Sequence, residues 1–169
     1  MKTTHRPLGI ATAIGVALLD QLSKWTITHP LALPEQMLVR ITGFFDLRWV
    51  ENYGVSMGFL VAGSDQERWL LVGMTAVIAV AVGIWMWREK AKVDVIALGC
   101  VLGGAIGNIA DRARLGYVAD FLDLHIGTWH PFLVFNVADA AITIGVLLLV
   151  LRALLVRETK VSAENVDAL

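Results

Sequence analysis

An all-α integral membrane protein of one domain, with four transmembrane helices and a short β element on one membrane face, is the fold class this sequence predicts. Three observations predict it. Of 169 residues, 57% are hydrophobic and 17% charged, with a mean hydropathy of +0.67, whereas a soluble domain carries roughly a quarter charged residues. Four apolar segments recur along the chain. The basic residues are densest in alternate connections, as the positive-inside rule requires. The net charge of -1 leaves no broad basic surface for nucleic acid.

The first span is expected at about 7–28. Lys2 and Arg6 precede an apolar run from Leu8 to Leu19, which resembles the opening of a signal peptide. Asp20-Gln21-Leu22-Ser23-Lys24-Trp25 stands where a small-residue cleavage site would follow, so an uncleaved helix is the expectation. The segment 30–68 is too long for a simple connection. Within it Phe45-Asp46-Leu47-Arg48-Trp49 alternates apolar and charged residues, the signature of a strand. The second span, 69–87, has nineteen residues without a charge. It would cover roughly 28 Å of a ~30 Å hydrocarbon core. Trp69, Trp85 and Trp87 mark its ends, as interfacial aromatics do. The third and fourth spans are expected at 93–110 and 131–151, each with polar residues near one end. The tail 157–169 is polar and is expected to fray. Cys100, the single cysteine, excludes an intramolecular disulfide or a multi-cysteine metal site and is expected to be a small packing residue.

Orientation follows from charge density. Lys2 and Arg6, then Arg88, Lys90 and Lys92, then Arg152, Arg157 and Lys160 crowd one side. Arg40, Arg48, Arg68, Arg112 and Arg114 are spread over much longer segments of the other. Both termini are therefore expected in the cytoplasm.

Polar residues of three spans fall at one depth. Thirteen residues separate Arg152 from Asp139, about 20 Å of helix; fourteen separate Arg6 from Asp20, about 21 Å; sixteen separate Lys92 from Asn108, about 24 Å. All lie in the outer third of the core or at the outer interface, which reads as one site facing the external side. Asp139 carries the strongest expectation, because an ionisable group within a span is costly and marks a functional site by default. Asp120 follows the preceding span, and two carboxyls meeting in a low-dielectric site can share one proton and activate water. Asp123, three residues on, would share a face with Asp120 if this stretch were helical. Asp20 and Lys24 are four apart, acid first, and are expected to neutralise each other while Lys24 reaches outward. Arg112, four beyond Asn108, either anchors at headgroups or pairs with a carboxylate. Ser23 and Lys24 are helix neighbours and do not face each other, so no serine–lysine dyad is expected. His5, His29, His125 and His130 form no HExxH, and no metal site is expected. Gly99, Gly103 and Gly107 form a GxxxGxxxG row that lets a second helix approach closely.

These stretches resemble a known family. DQLSK at 20–24, ENYGVSMGF at 51–59, GGAIGNIADR at 103–112, GYVADF at 116–121 and FNVADAAIT at 135–143 are similar, in order and spacing, to the motifs of lipoprotein signal peptidases (signal peptidase II), bacterial intramembrane aspartic peptidases. Val55-Ser56-Met57-Gly58 departs from the small and aromatic residues usual there. The resemblance implies a single membrane-embedded peptidase domain over 1–169, with four transmembrane helices and a small periplasmic β-cradle, in the bacterial inner membrane. It implies cleavage of diacylglyceryl-modified prolipoproteins just before the lipidated cysteine. It places the catalytic pair on Asp120 and Asp139, the site lining on Asn52, Gly54, Asn108, Arg112 and Asn136, and a structural polar pair on Asp20 and Lys24. It further implies no cofactor, inhibition by globomycin, contact with membrane lipid, and a monomer. Segment 30–68 is expected to close over the substrate as a lid. The alternative is a small proton-coupled transporter component, since intramembrane acids also form proton relays. The polar residues, however, do not continue to the cytoplasmic side. A purely structural subunit would leave Asp139 unexplained, and the GxGD signature of presenilin-like proteases is absent.

Overall fold

A computed structural model describes residues 5–55, 60–61 and 65–166. In chain order it comprises helix α1 (Arg6–Thr28), the single turn α2 (Leu33–Gln36), strands β1 (Leu38–Arg40), β2 (Phe45–Asn52), β3 (Gly54–Val55) and β4 (Leu60–Val61), helices α3 (Asp65–Arg88) and α4 (Lys92–Leu115), strand β5 (Val118–Leu124) and helix α5 (Val137–Val166). Among the described residues α3, α4 and the Val137–Leu155 part of α5 are long and apolar enough to cross a membrane. The 23 residues of α1 give it a comparable length, but Asp20 and Lys24 interrupt its apolar run.

The small residues decide which helices touch. A Cβ on Gly99 would lie 2.7 Å from the Gly9 carbonyl oxygen, and one on Gly103 2.5 Å from that of Ala13. The glycine row therefore packs on α1 backbone to backbone, the contact such rows serve. On another face of α4, Gly104 meets the Ala138 carbonyl, and Gly145 of α5 meets that of Ala97. Thus α4 is the central helix, gripped by α1 and α5, with α3 on its flank. Val77, Ile78 and Val80 of α3 and Leu147 and Leu151 of α5 are exposed, as lipid-facing side chains are. At the end away from the strands, Arg6 donates from Nε to the Trp87 carbonyl (2.9 Å) and covers its ring, and Arg152 pairs with Asp94 at 3.3 Å.

The strands form a cap over the other end. β1, β2 and β5 make an antiparallel sheet with β2 central. The expected strand at 45–49 is the start of β2. Its long-range partner β5 was not expected, and a helical reading of that stretch fails. Gly116 ends α4 at φ +91, its N–H donating to the Arg112 carbonyl at 3.2 Å, a left-handed closure that glycine adopts freely. The chain then runs extended. In a strand Asp120 and Asp123 face opposite ways, so the shared face that a helix would have given them does not exist. Beneath the sheet Ile27, Leu33, Trp49, Ala119 and Phe121 form a buried cluster that seats it on α1.

Three boundaries differ from the sequence expectation. α5 begins at Val137, not near Pro131, because Phe135 exchanges backbone bonds with Leu122 (2.8 and 3.1 Å) and is held beside β5. α4 continues to Leu115, past the expected Ala110, to the glycine that stops it. The expected frayed tail is helical as far as Val166. Residues 56–59, which hold most of the atypical Val55–Gly58 stretch, and residues 62–64 lie outside the described residues, as do 1–4 and 167–169.

Candidate functional site

The start of α5 organises the site. A helix N-terminus presents backbone N–H groups without intrahelical partners. Asn136 caps this one: its Oδ1 accepts from the Asp139 N–H at 2.9 Å, and Asp139 Oδ2 accepts from the Asn136 N–H at 3.2 Å. This reciprocal pair is a capping box built from amide and acid. The Ala138 N–H donates to Asp20 Oδ1 at 3.0 Å, so an acid from α1 completes the cap. Asp20 reaches it only because position 107 is glycine; a Cβ there would collide with the Asp20 carboxylate.

Asn136 also joins the two carboxylates named from sequence. Its Nδ2 donates to Asp120 Oδ1 at 2.6 Å. The other Asp120 oxygen accepts from Asn52 Nδ2 at 3.0 Å across the β2–β5 ladder. Asp139 Oδ1 accepts from Asn108 Nδ2 at 2.8 Å. Among the described residues the hydrogen-bond donors to both carboxyls are amides. Asp120 is 1% exposed and lies on β5, outside the helices. Burial, then the nearby Asp139 charge, pushes its carboxyl up to about 6, against the pull of the Asn52 and Asn136 hydrogen bonds.

A second, charged layer backs this one. Lys24 Nζ lies 2.9 Å from Asp20 Oδ2, 2.7 Å from Asp111 Oδ2 and 3.3 Å from Asn108 Oδ1. Asn108 therefore separates Lys24 from Asp139, accepting from the cation and donating to the acid. Gln21 donates to Asp20 and Asp111 and accepts from Arg114 (3.1, 2.9 and 3.0 Å). Asp111 in turn holds β5 by accepting from the Ala119 N–H at 3.2 Å. The expected Asp20–Lys24 pair is thus present, but Lys24 is buried rather than reaching outward. Its second acid, Asp111, and Gln21 were missed. The signal was available: the glycine row continued by four residues reaches 111, placing that acid on the stripe facing α1.

Arg112 donates from Nη2 to the Gly54 carbonyl at 3.4 Å. Its buried Nε finds no partner among the described residues. Gly54 gives its N–H to Asn52 Oδ1 at 3.1 Å, which turns the chain after β2. All the sequence-named polar residues are thereby gathered at one end of the bundle. Asp123 stands apart on the other face of β5, paired with Arg48 (2.7 Å) and His130 (2.8 Å).

Residues 12–155 match the family model described as signal peptidase (SPase) II. The chain belongs to the signal peptidase II family. It is 77% identical to the lipoprotein signal peptidase of Rhizorhabdus wittichii over 99% of this chain and 97% of that one. It is 54% identical to that of Sphingopyxis alaskensis, covering 93% and 91%. Two solved structures described as a bacterial membrane enzyme superpose with TM-score 0.75. Their identities are 25 and 26%, and each match covers 90% of this chain and 91 or 96% of the other. As a member of the signal peptidase II family the chain is a peptidase, and the transporter reading has no support.

Proposed function

We propose that Asp120 and Asp139 are the catalytic pair of an intramembrane aspartic endopeptidase. Its substrates are diacylglyceryl-modified prolipoproteins, from which it removes the signal peptide by cutting just before the lipidated cysteine. The observation that carries this is Asn136, which hydrogen-bonds both carboxyls while neutral amides supply their other contacts. Amides orient two acids without displacing the proton they share. A bonded lysine or arginine would ionise both.

In the mechanism Asp120 carries the shared proton and polarises the scissile carbonyl. Asp139, ionised, takes a proton from the attacking water. The two titrate as a pair. Asn108 and Asn136 fix the Asp139 carboxylate, Asn52 and Asn136 that of Asp120, and the Lys24–Asp20–Asp111 layer holds α1, α4, α5 and β5 in register behind them. Arg112 and Gly54 line the substrate side, and segment 30–68 closes over it.

We assign four spans, α1 being the fourth crossing helix, in a single peptidase domain of the bacterial inner membrane. The strands face the periplasm and both termini the cytoplasm, supported by the dense basic residues at the opposite end. The protein acts as a monomer and is blocked by globomycin. The purified protein in detergent is expected to cleave a lipidated prolipoprotein and not its unlipidated form. After Cys100→Ala, a cysteine at Thr128 is expected to label with a membrane-impermeant thiol reagent from the periplasm, and one at Ala91 is not. Cleavage regardless of lipidation would refute the substrate, and the reverse labelling pattern the orientation.

A further inference from the structure

Beside Asp139 lies a groove of about 380 Å³. One wall is Phe132, Leu133 and Phe135; the other is Ala140, Thr143 and Ile144 of α5. The second wall follows the helical repeat from Asp139, so it descends along one face of α5. At 1.5 Å per residue Ile144 lies roughly 7–8 Å below Asp139 along the axis. The first wall is pinned, because Phe135 exchanges backbone hydrogen bonds with Leu122 of β5. Phe132, Leu133 and Ile144 remain exposed, so the groove opens on the surface that faces lipid.

Its chemistry selects an occupant. Asp139 is the one ionisable residue of its lining, at the upper end, and the Thr143 hydroxyl the one other polar side-chain group. An extended peptide there would leave backbone N–H and C=O groups unpaired, at a penalty of roughly 1–3 kcal/mol each. A helix, about 10 Å across with its side chains, exceeds the space. A polymethylene chain needs no partners. A second cavity at this end of the bundle, about 540 Å³ between α1, α4 and the sheet, mixes apolar residues such as Leu18, Leu22 and Trp25 with the charged Lys24, Glu51, Asp111 and Arg114, so a hydrocarbon chain there would lie against ionic groups.

We infer that this groove receives one acyl chain of the substrate's diacylglyceryl group, and that Thr143 sets how far the chain descends along α5. The inference rests on the proposed cleavage site. If the cut falls just before the lipidated cysteine, the glyceryl group lies beside the catalytic pair and its chains must leave from there. Asp139 is common to the pair and the groove, which makes the two continuous.

The test is a selectivity ratio. One prolipoprotein peptide is prepared with two hexadecanoyl chains and with two butanoyl chains, and kcat/KM is measured on both in the same detergent. The wild type is expected to favour the long-chain substrate. Thr143→Trp, which fills the groove one turn below Asp139, should lower the long-to-short ratio on the order of tenfold, the equivalent of about two methylenes lost from burial. Leu133→Ser on the exposed wall should lower it a few-fold, mainly through KM for the long-chain substrate. An unchanged ratio in both variants overturns the inference, and so does an equal loss on the two substrates. A wild type that cleaves both equally well overturns the groove and leaves the proposed function standing. A folded wild type that cleaves neither refutes the proposed function, and the groove falls with it.

Discussion

The two faces of β5 present the same residue type to opposite environments. Asp120 and Asp123 are each 1% exposed and three residues apart. Around Asp123 the strand gathers basic side chains: Arg48 Nε at 2.7 Å and His130 Nδ1 at 2.8 Å. Burial alone would raise the Asp123 carboxyl, but the hydrogen bonds and charges of His130 and Arg48 outweigh it and hold the group below the usual carboxylate range. Around Asp120 the partners are amides, and the carboxyl is pushed up to about 6. Neither carboxyl reaches solvent, so the surroundings, the Asp139 carboxyl and neutral amides at Asp120 against basic side chains at Asp123, decide whether a buried acid is a fixed anion or one able to hold a proton near neutral pH. On this strand the basic side chains go to structure and the amides to the proposed chemistry.

The largest effect that tests this contrast is on turnover. Asp120→Asn and Asp139→Asn should each lower kcat on the order of a thousandfold or more, since general acid–base groups contribute about 10²–10⁴. Asp123→Asn should keep much of the activity, because its charge holds the sheet and touches neither carboxyl of the pair. Single-turnover assays on folded, membrane-extracted protein decide it. A dead Asp123→Asn beside an active Asp120→Asn would reverse the assignment.

The next effect concerns the charged layer behind Asn108. Lys24→Met leaves Asp20 and Asp111, 0% and 2% exposed, without their common cation. Breaking a buried ion pair this way typically costs about 3–5 kcal/mol. A large fall in the thermal midpoint is expected, and adding Asp111→Asn should recover part of it, a coupling that a double-mutant cycle measures. Simple additivity of the two substitutions would show that Lys24 and Asp111 do not act as a unit.

How much of this was legible in the sequence depends on the kind of order involved. The four apolar segments, the strand at Phe45–Trp49 and the glycine row could be read because each has a local period or run. β5 could not. Its pattern Val118-Ala119-Asp120-Phe121-Leu122-Asp123-Leu124 is buried on both faces, so the polar alternation that reveals a half-exposed strand is missing. Its partner β2 lies about seventy residues earlier, beyond the reach of local propensity. The polar site residues were legible as a group, by depth counting and by resemblance, but their division into an amide layer and a charged layer was not. That division depends on which side of α4 each residue occupies, and Asp111 emerges only when the glycine stripe is followed one step further.

A smaller effect separates the two aspartates by the sign of their pH dependence. Asp120 is raised in the fold, so the stability linked to it is present below its unfolded value near 4 and is lost as pH rises through about 6. Asp123 is lowered, so its contribution is present above its unfolded value and is lost as pH falls through the folded one. Asp120→Asn should therefore be more stable than wild type at pH 8, by about 1–3 kcal/mol, and show no such gain near pH 4. Asp123→Asn should be less stable at pH 8, by up to about 1 kcal/mol given the partly solvated Arg48, and converge with wild type as pH falls below 4. Melting curves of the three proteins at the two pH values give the comparison, and shifts of one sign for both variants would remove it.

The smallest expected effect lies in the pH profile of catalysis. Asn52 donates to the Asp120 oxygen that Asn136 does not hold, and this bond favours the ionised carboxylate, lowering the value that burial and Asp139 raise. Asn52→Ala removes the donor and leaves the burial. The Asp120 carboxyl should then keep its proton to higher pH. If Asp120 supplies the acid of the pair, the alkaline limb of kcat/KM, which reports deprotonation in the free enzyme, must move upward by a fraction of a unit. The maximum should fall as well, since the carboxyl loses an orienting contact. Asn52→Asp, measured beside it, adds a negative charge next to Asp120 and should push the limb the same way and further. An alkaline limb that stays in place in Asn52→Ala while the acid limb moves upward would assign the proton to Asp139 instead and exchange the roles of the two acids, while leaving the pair itself in place.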